Sequence, residues 1–114
     1  MVEEMMRFNA IFHALSHEVR REMLGRLASK ELTIGQLAEP HTMSFTAASK
    51  HVQVLERAGL VSRTVEGRRH VCRLEPGPLK SAFRWLHFYQ DFRSERLNSQ
   101  EVIVKHKPLL EEED

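Results

Sequence analysis

The sequence predicts a mainly α-helical domain with a small β-hairpin, in the order α-α-α-α-β-β-α. Apolar residues recur at helical spacing on both sides of a short segment that is rich in β-branched residues. Turn-forming residues mark the ends of that segment, with Gly59 before it and Pro76-Gly77-Pro78 after it. The length of 114 residues fits one domain.

The first two helices follow from apolar spacing and from capping residues. The first helix is predicted at about residues 3–15. Ser16 is predicted to cap the second helix, with Glu18 near the positive end of the helix dipole. The apolar positions of the two helices are Phe8, Ile11, Phe12, Leu15, Val19, Met23, Leu24 and Leu27.

The third helix has a sequence signature at its start. Thr33-Ile34-Gly35-Gln36 has the capping-box pattern, in which the threonine and glutamine side chains bond each other's backbone N–H groups. Leu32 and Leu37 flank this cap and can form a hydrophobic staple. The helix is therefore predicted to start at Thr33 and to end near Pro40.

The fourth helix is predicted at about residues 45–58, capped by Ser44 and ended by a left-handed Gly59. A brief connection joins it to the third helix, as in a helix-turn-helix. Its apolar face is expected to pack on the domain and consists of Phe45, Ala48, Val52 and Leu55. The opposite face consists of Thr46, Ala47, Lys50, Gln53, Val54 and Arg57.

Residues 61–65 and 69–74 are predicted to pair as a β-hairpin around Glu66-Gly67. A long last helix is predicted at about residues 79–98. A helix-turn-helix followed by a hairpin is a winged helix-turn-helix, which we assign to residues 1–100. Residues 101–114 are assigned to a C-terminal extension with an acidic tail.

Positive charge is concentrated in residues 44–74. This segment has six Lys/Arg and two acidic residues, a net charge of +4 against +1 for the whole chain. A basic helix and hairpin suit DNA, with the helix in a groove and the wing on the backbone. We predict base contacts from Thr46, Ala47, Lys50 and Gln53, and backbone contacts from Ser49, His51, Arg63, Arg68, Arg69 and Arg73.

Several segments together resemble the ArsR/SmtB-type winged-helix repressors. They are FHALSHEVRREML (12–24), ELTIGQLA (31–38), SKHVQVLERAGLV (49–61), the wing tip Gly67-Arg68-Arg69 and LEPGPL (74–79). The resemblance covers roughly residues 8–98 and implies a homodimeric transcriptional repressor that binds an operator. It implies a recognition helix that runs from Ser44 to Arg57, a wing at residues 63–73, and a dimer interface made by the first and last helices.

The last helix carries five of the eight aromatic residues, between Phe83 and Phe92. With its leucines they cover more than one stripe, so the helix needs two partners. One is its own domain, and we expect a second subunit to be the other. A helix wrapped wholly by its own domain and an aromatic effector pocket are the alternatives. The predicted dimer interface is Phe8, Phe12, Phe83, Leu86, Tyr89 and Phe92.

The resemblance raises the question of a metal site, because many relatives bind metal through a cysteine pair at the third helix. Thr33 and Gly35 stand at those positions here, and neither can supply a thiolate. We therefore predict no metal at that position and no cofactor.

Two other features of the chain have alternative chemical interpretations. His87, Asp91 and Glu95 share a helix face, which we interpret as a solvated ion-pairing stripe, with a cation site across a dimer as the alternative. The lone Cys72 is predicted to be a buried apolar residue, with a redox sensor as the alternative.

These observations favour a sequence-specific DNA-binding repressor that reads an imperfect palindromic operator as a dimer. The alternative is a winged-helix protein-interaction module without DNA binding. An enzyme is not expected, because no nucleophile–base set or phosphate loop is present. No apolar run is long enough for a membrane helix and one cysteine allows no internal disulfide, so we expect a cytoplasmic protein. No motif identifies an effector or protein partner that would control it.

Overall fold

The structure is a computed structural model that describes the backbone of residues 2–100 and the side chains of residues 2–90. Its helices are α1 (Val2–Leu15), α2 (Glu18–Leu27), α3 (Ile34–Ala38), α4 (Phe45–Arg57) and α5 (Gly77–Gln100). Its strands are β1 (Leu32–Thr33), β2 (Val61–Glu66) and β3 (Arg69–Leu74). This architecture confirms the predicted winged helix-turn-helix. The predicted C-terminal extension, residues 101–114, lies outside the described residues.

The hairpin is confirmed, and a short third strand completes the sheet. Strands β2 and β3 pair from Val61↔Leu74 to Glu66↔Arg69, which leaves Gly67-Arg68 as a two-residue turn. Gly67 has φ +62°, a backbone conformation that favours glycine at this turn position. Strand β1 pairs antiparallel with the other edge of β3, so the sheet order is β1-β3-β2. A two-residue strand has no periodicity, and the sequence therefore did not predict β1.

Residues up to Ala82 form one compact unit, whose core lies between the helices and the sheet. Every helix from α1 to α4 and the central strand β3 contribute a fully buried side chain. Because these elements share one core, the exposed side of α4 has a fixed position relative to the sheet. The largest fully buried side chains are Ile11, Met23, Ile34, Leu37, Val52, Leu55, Leu60 and Cys72.

Capping residues set the starts of α2 and α3. The prediction that Ser16 caps α2 is wrong: the cap is His17, whose Nδ1 accepts a hydrogen bond from a first-turn N–H at 3.1 Å. The Ser16 hydroxyl donates instead to the carbonyl of His13 at the end of α1, at 2.6 Å. The capping box of α3 is confirmed, because Thr33 Oγ1 and Gln36 Oε1 accept each other's backbone N–H at 3.1 and 2.8 Å.

Helix α4 ends at a glycine that turns the chain into the sheet. The N–H groups of Gly59 and Leu60 donate to the carbonyls of Glu56 and Leu55, both at 2.9 Å. These two bonds form a Schellman motif, which needs a left-handed residue, and Gly59 has φ +77° as predicted. Leu60 then enters the core, and β2 begins at Val61.

Phe83 begins a second compact unit. The apolar side chains described in this unit are largely exposed, with Phe83 at 59% and Phe88 at 64%. The Tyr89 ring makes edge contacts with the rings of Trp85 and Phe88, at centroid distances of 5.0 and 5.1 Å. The side chains of Phe92, Asp91 and Glu95 lie outside the described residues. In the part of the chain that the structure describes, no helix has the length and apolar character to cross a membrane.

Gly59→Ala is expected to destabilise the protein by about 1 kcal/mol or more, because alanine is strained at positive φ. Its Cβ would also lie 3.3 Å from Cγ of Pro78. Gly25→Ala is the matched control, since a Cβ on this exposed residue inside α2 meets nothing within 4 Å and should stabilise the helix by up to about 1 kcal/mol. Urea denaturation followed by circular dichroism measures both variants. Equal effects of the two substitutions would contradict the role of Gly59.

Candidate nucleic-acid interface

The apolar face of α4 packs in the core with one exception. Ala48, Val52 and Leu55 are completely buried, as predicted. Phe45 is 51% exposed, so the prediction that it packs on the domain is wrong. It is the first residue of α4, one turn before the first buried residue of that face, and its ring meets the ring of His70 on β3 edge-on, with centroids 6.0 Å apart.

The opposite face of α4 is open to solvent. Thr46, Lys50, Gln53 and Arg57 are exposed. Val54, which was predicted on this face, packs against the core instead because it lies toward the edge of the helix surface. Among residues 2–90, no other side chain bonds or pairs with Lys50 or Gln53, and both are available to an incoming molecule.

The first turn of α4 is capped by Ser44, as predicted. Its Oγ accepts a hydrogen bond from the N–H of Ala47 at 3.1 Å, and its own hydroxyl proton remains available to an acceptor. Ser44 and Thr46 are both exposed, so the turn faces solvent. The N-terminus of a helix carries partial positive charge, and this end of α4 is therefore suited to an electronegative ligand.

Arg63 is held by the helix rather than presented to solvent. Its Nη2 and Nε donate to the two carboxylate oxygens of Glu56 on α4, at 2.6 and 3.1 Å. Its Nη1 lies 3.2 Å from Nδ1 of His70. The hydrogen bond with Glu56 is the main cause that raises the pKa of Arg63. Each of the three guanidinium nitrogens thus has a partner, and the geometry does not favour the predicted DNA-backbone contact of Arg63.

The other three wing arginines are more exposed. Arg68 lies in the turn and has no bonding or ionic partner within residues 2–90. The side chain of Arg69 is 67% exposed and lies 3.9 Å from Glu66, a weak surface pair. Arg73 lies 3.7 Å from Glu31 and also donates to Thr64 Oγ1 at 3.1 Å. The available positive charge of the wing is therefore concentrated at its tip.

His51 lies on the flank of α4 that packs against α2. Its Nδ1 is 3.2 Å from Nη1 of the buried Arg20, and its ring is 4.5 Å from that of His17. Arg20 also donates to the carbonyls of Ala14 and His13, at 2.8 and 3.1 Å. Burial, followed by the charges of His17 and Arg20, lowers the pKa of His51. Because Arg20 donates to Nδ1, we assign the ring proton to Nε2, which is the atom left for the predicted phosphate contact.

Cys72 occupies the core position predicted for it. It is fully buried in the central strand β3, and burial raises the pKa of its thiol to about 11. A buried, protonated thiol is a poor nucleophile, which argues against the redox alternative. Within residues 2–90, no group of three or more His, Cys, Asp or Glu side chains is placed to hold a metal ion.

Comparisons with known proteins agree with this geometry. A family model described as a helix-turn-helix domain matches residues 15–64. The HTH-type transcriptional regulator Rv2034 of Mycobacterium tuberculosis is 38% identical over 65 residues, a match to 57% of this chain and 61% of that regulator. The transcriptional repressor SdpR of Bacillus subtilis is 28% identical over 78 residues, a match to 68% of this chain and 87% of that repressor.

Solved structures decide the family. The crystal structure of an ArsR family transcriptional regulator is 33% identical with a TM-score of 0.72, and the match covers 77% of this chain and 91% of that one. The chain belongs to the ArsR family. The homodimeric winged helix-turn-helix DNA-binding domain Mb0332 of Mycobacterium bovis is 25% identical with a TM-score of 0.64, covering 83% and 88% of the two chains. ArsR-family membership confirms the resemblance, and in the winged helix-turn-helix architecture the β2–β3 hairpin is the wing.

Sequence reasoning missed three residues of this surface. Glu56 and His70 hold Arg63, and Arg20 holds His51. An acidic residue in an otherwise basic segment could have indicated that Glu56 pairs with a nearby arginine. No local signal marks Arg20, because its partner on α4 is 31 residues away.

Arg63→Ala is expected to lower the free energy of unfolding by about 1–2 kcal/mol, because Glu56 would lose its two charged donors while partly buried. Arg68→Ala removes the same charge from the exposed turn and should change stability by no more than about 0.5 kcal/mol. Chemical denaturation of the two variants at neutral pH measures the difference. The structural role of Arg63 would be refuted if both variants unfolded at the same denaturant concentration as the parent.

Proposed function

We propose that this ArsR-family chain is a sequence-specific transcriptional repressor that binds, as a homodimer, an imperfect palindromic operator. The observation that carries the proposal is the unpaired polar face of α4, which lies beside a wing whose charge is concentrated at its tip. A helix of this kind fits the major groove, where side-chain donors and methyl groups can distinguish base pairs. The similarity to SdpR, a transcriptional repressor, supports repression as the direction of regulation.

The proposed contacts divide by position. Thr46, Ala47, Lys50 and Gln53 face the base edges, while Ser44, Ser49 and Arg57 face the flanking phosphates. At the wing, the phosphate contacts come from Arg68 and Arg69, with Arg73 after release from Glu31. His51 contributes as a neutral Nε2–H donor, and Arg63 is left out because Glu56 holds it.

Lys50→Ala and Arg68→Ala are expected to weaken operator binding in different ways. Loss of Lys50 should cost about 1–3 kcal/mol and relax the preference at one base pair, whereas loss of Arg68 should weaken all sequences alike. For Arg68→Ala, the slope of the logarithm of the binding constant against the logarithm of the salt concentration should become shallower by about one unit. Operators selected from random fragments, followed by fluorescence anisotropy at several salt concentrations, give these values.

Lys30→Ala is the control for lost charge, since this exposed lysine lies in the segment between α2 and β1 and is given no DNA contact in the proposal. It should bind like the parent. Parent-like binding by both test variants at matched salt would reject the proposed interface. Absence of any salt-sensitive DNA binding by the parent would favour the winged-helix protein-interaction module instead.

The dimer is supported by apolar side chains that remain exposed on α1 and in the second unit. On α1 these are Val2, Met5 and Met6, and Phe8 and Phe12 follow them as half-buried rings. In the second unit they are Phe83, Trp85, Leu86, Phe88 and Tyr89. Such surfaces on a small protein usually mark an interaction site. The similar domain Mb0332 is homodimeric, which supports a second copy of this chain as the partner.

Leu86→Glu is expected to shift the protein from dimer to monomer, because it places a charge in an apolar interface. Arg84→Glu places the same charged side chain at an exposed position on the opposite side of the same helix and should leave the dimer intact. Sedimentation equilibrium at micromolar concentration measures both. A monomeric parent protein under these conditions would refute the dimer.

We also propose that the chain has no catalytic role and acts in the cytoplasm. Control of operator binding is assigned to an effector or protein partner rather than to a thiolate metal site at α3, because Thr33 and Gly35 offer no thiolate and the Thr33 hydroxyl is used in the capping box.

A further inference from the structure

Phe45 is the one large apolar side chain on α4 that is left half in solvent among the described residues. It directly follows the cap Ser44, so it lies at the N-terminal end of the recognition helix. That end of a recognition helix is the part that reaches base edges in helix-turn-helix complexes. An apolar ring exposed at this point is available for contact with DNA.

A chain of contacts holds the Phe45 ring in place. His70 on β3 meets it edge-on at a centroid distance of 6.0 Å. Nδ1 of His70 lies 3.2 Å from Nη1 of Arg63, and Arg63 is bound through two hydrogen bonds to Glu56 near the other end of α4. Arg63 and His70, one on each wing strand, therefore connect Glu56 near the end of α4 to Phe45 at its start. The Phe45 ring is therefore exposed to solvent and at the same time held in place by His70.

We propose that Phe45 is a specificity-determining residue that contacts the 5-methyl group of a thymine in the operator. This inference rests on the proposed DNA-binding function and adds one contact to it. A phenylalanine ring has no hydrogen-bond donor or acceptor for the polar base edges. In the major groove the thymine methyl is the apolar group that distinguishes one base from the others, and phenylalanine is among the side chains that contact it.

The minor groove offers Phe45 no equivalent target, because its base edges present only acceptors and the guanine amino group. Insertion of an apolar wedge between base steps is a different mode, in which the ring separates neighbouring bases. Edge contact with His70 keeps the Phe45 ring against the wing strand, a position that favours contact from the side over insertion.

The test uses deoxyuridine, which differs from thymidine only by the missing methyl group. Each thymine of one half-site of the selected operator is replaced in turn, and binding of the full-length parent is measured by fluorescence anisotropy. The parent should lose about threefold to tenfold in affinity at one thymine, the amount expected from one buried methyl group. Phe45→Ala should bind the unsubstituted operator more weakly by a similar factor and should respond less than twofold to the same replacement.

Ala47→Gly is the matched control on the same helix, because Ala47 is the other small apolar side chain that is proposed to face the base edges. This variant should keep the deoxyuridine effect that depends on Phe45. Phe45→Leu retains an apolar side chain and should keep part of that effect, which provides a second variant if Phe45→Ala folds poorly.

The outcomes separate the two proposals. One contrary result is that the parent binds the operator specifically and yet shows no effect of any deoxyuridine replacement, and another is that every effect persists in Phe45→Ala. Either result overturns the role of Phe45 and leaves the repressor function intact. Failure of the parent to bind any DNA specifically overturns both. A Phe45-dependent loss of affinity without a methyl effect would show that the ring packs on the sugar or between bases, which also overturns the inference.

Discussion

The conformation of Gly59 at the end of α4 is the constraint on which the rest of the candidate nucleic-acid interface depends. Its left-handed backbone allows the Leu55 and Glu56 carbonyls to accept the last two N–H groups of the turn. The same reversal places Leu60 in the core and starts β2 one residue later. Because β2 begins at that point, Arg63 falls within reach of Glu56, and the wing is attached to the helix.

Two buried or partly buried arginines fix α4 from opposite flanks. Arg63 joins the wing to one flank through Glu56, and Arg20 joins α2 to the other through His51. Burying a guanidinium group is costly unless its donors are satisfied, and both arginines have partners around the group. The exposed face of α4 between these flanks is left free of such contacts. Rigid flanks with an unpaired face are a suitable arrangement for a surface that must fit a groove.

Local sequence signals were sufficient for most of the fold. The Thr33–Gln36 capping box, the Ser44 cap, Gly59 and the turn glycine Gly67 each have a mechanism that acts over a few residues, and the structure contains all of them, although the turn is Gly67-Arg68 and not Glu66-Gly67. The cap of α2 was misplaced by one residue, because a histidine side chain can accept the same hydrogen bond as a serine. Strand β1 was missed because its existence depends on β3, almost 40 residues later in the chain.

The candidate site was less predictable than the fold, because its features depend on tertiary packing that local sequence patterns do not encode. Helical spacing placed Phe45 with the buried residues Ala48, Val52 and Leu55, but spacing alone cannot show where the core ends. Half of the Phe45 side chain remains in water, which forgoes roughly 1 kcal/mol of the free energy gained by complete burial. The engagement of His51 depends on Arg20, 31 residues away, and that of Arg63 depends on how the wing strands pack on α4, so counting basic residues overestimated the charge available to DNA.

The environment of His51 makes the stability of the packing between α4 and α2 depend on pH. Burial, followed by the charges of His17, Arg20 and His41, lowers the pKa of His51 in the folded protein below the ordinary 6.5. As the pH falls below 6.5, the unfolded chain takes up a proton at this residue before the folded chain does, and the contribution of His51 to stability is lost over that window. At His51, a proton therefore binds more tightly to the unfolded state than to the folded state, and protonation opposes the contact that holds α4 to α2.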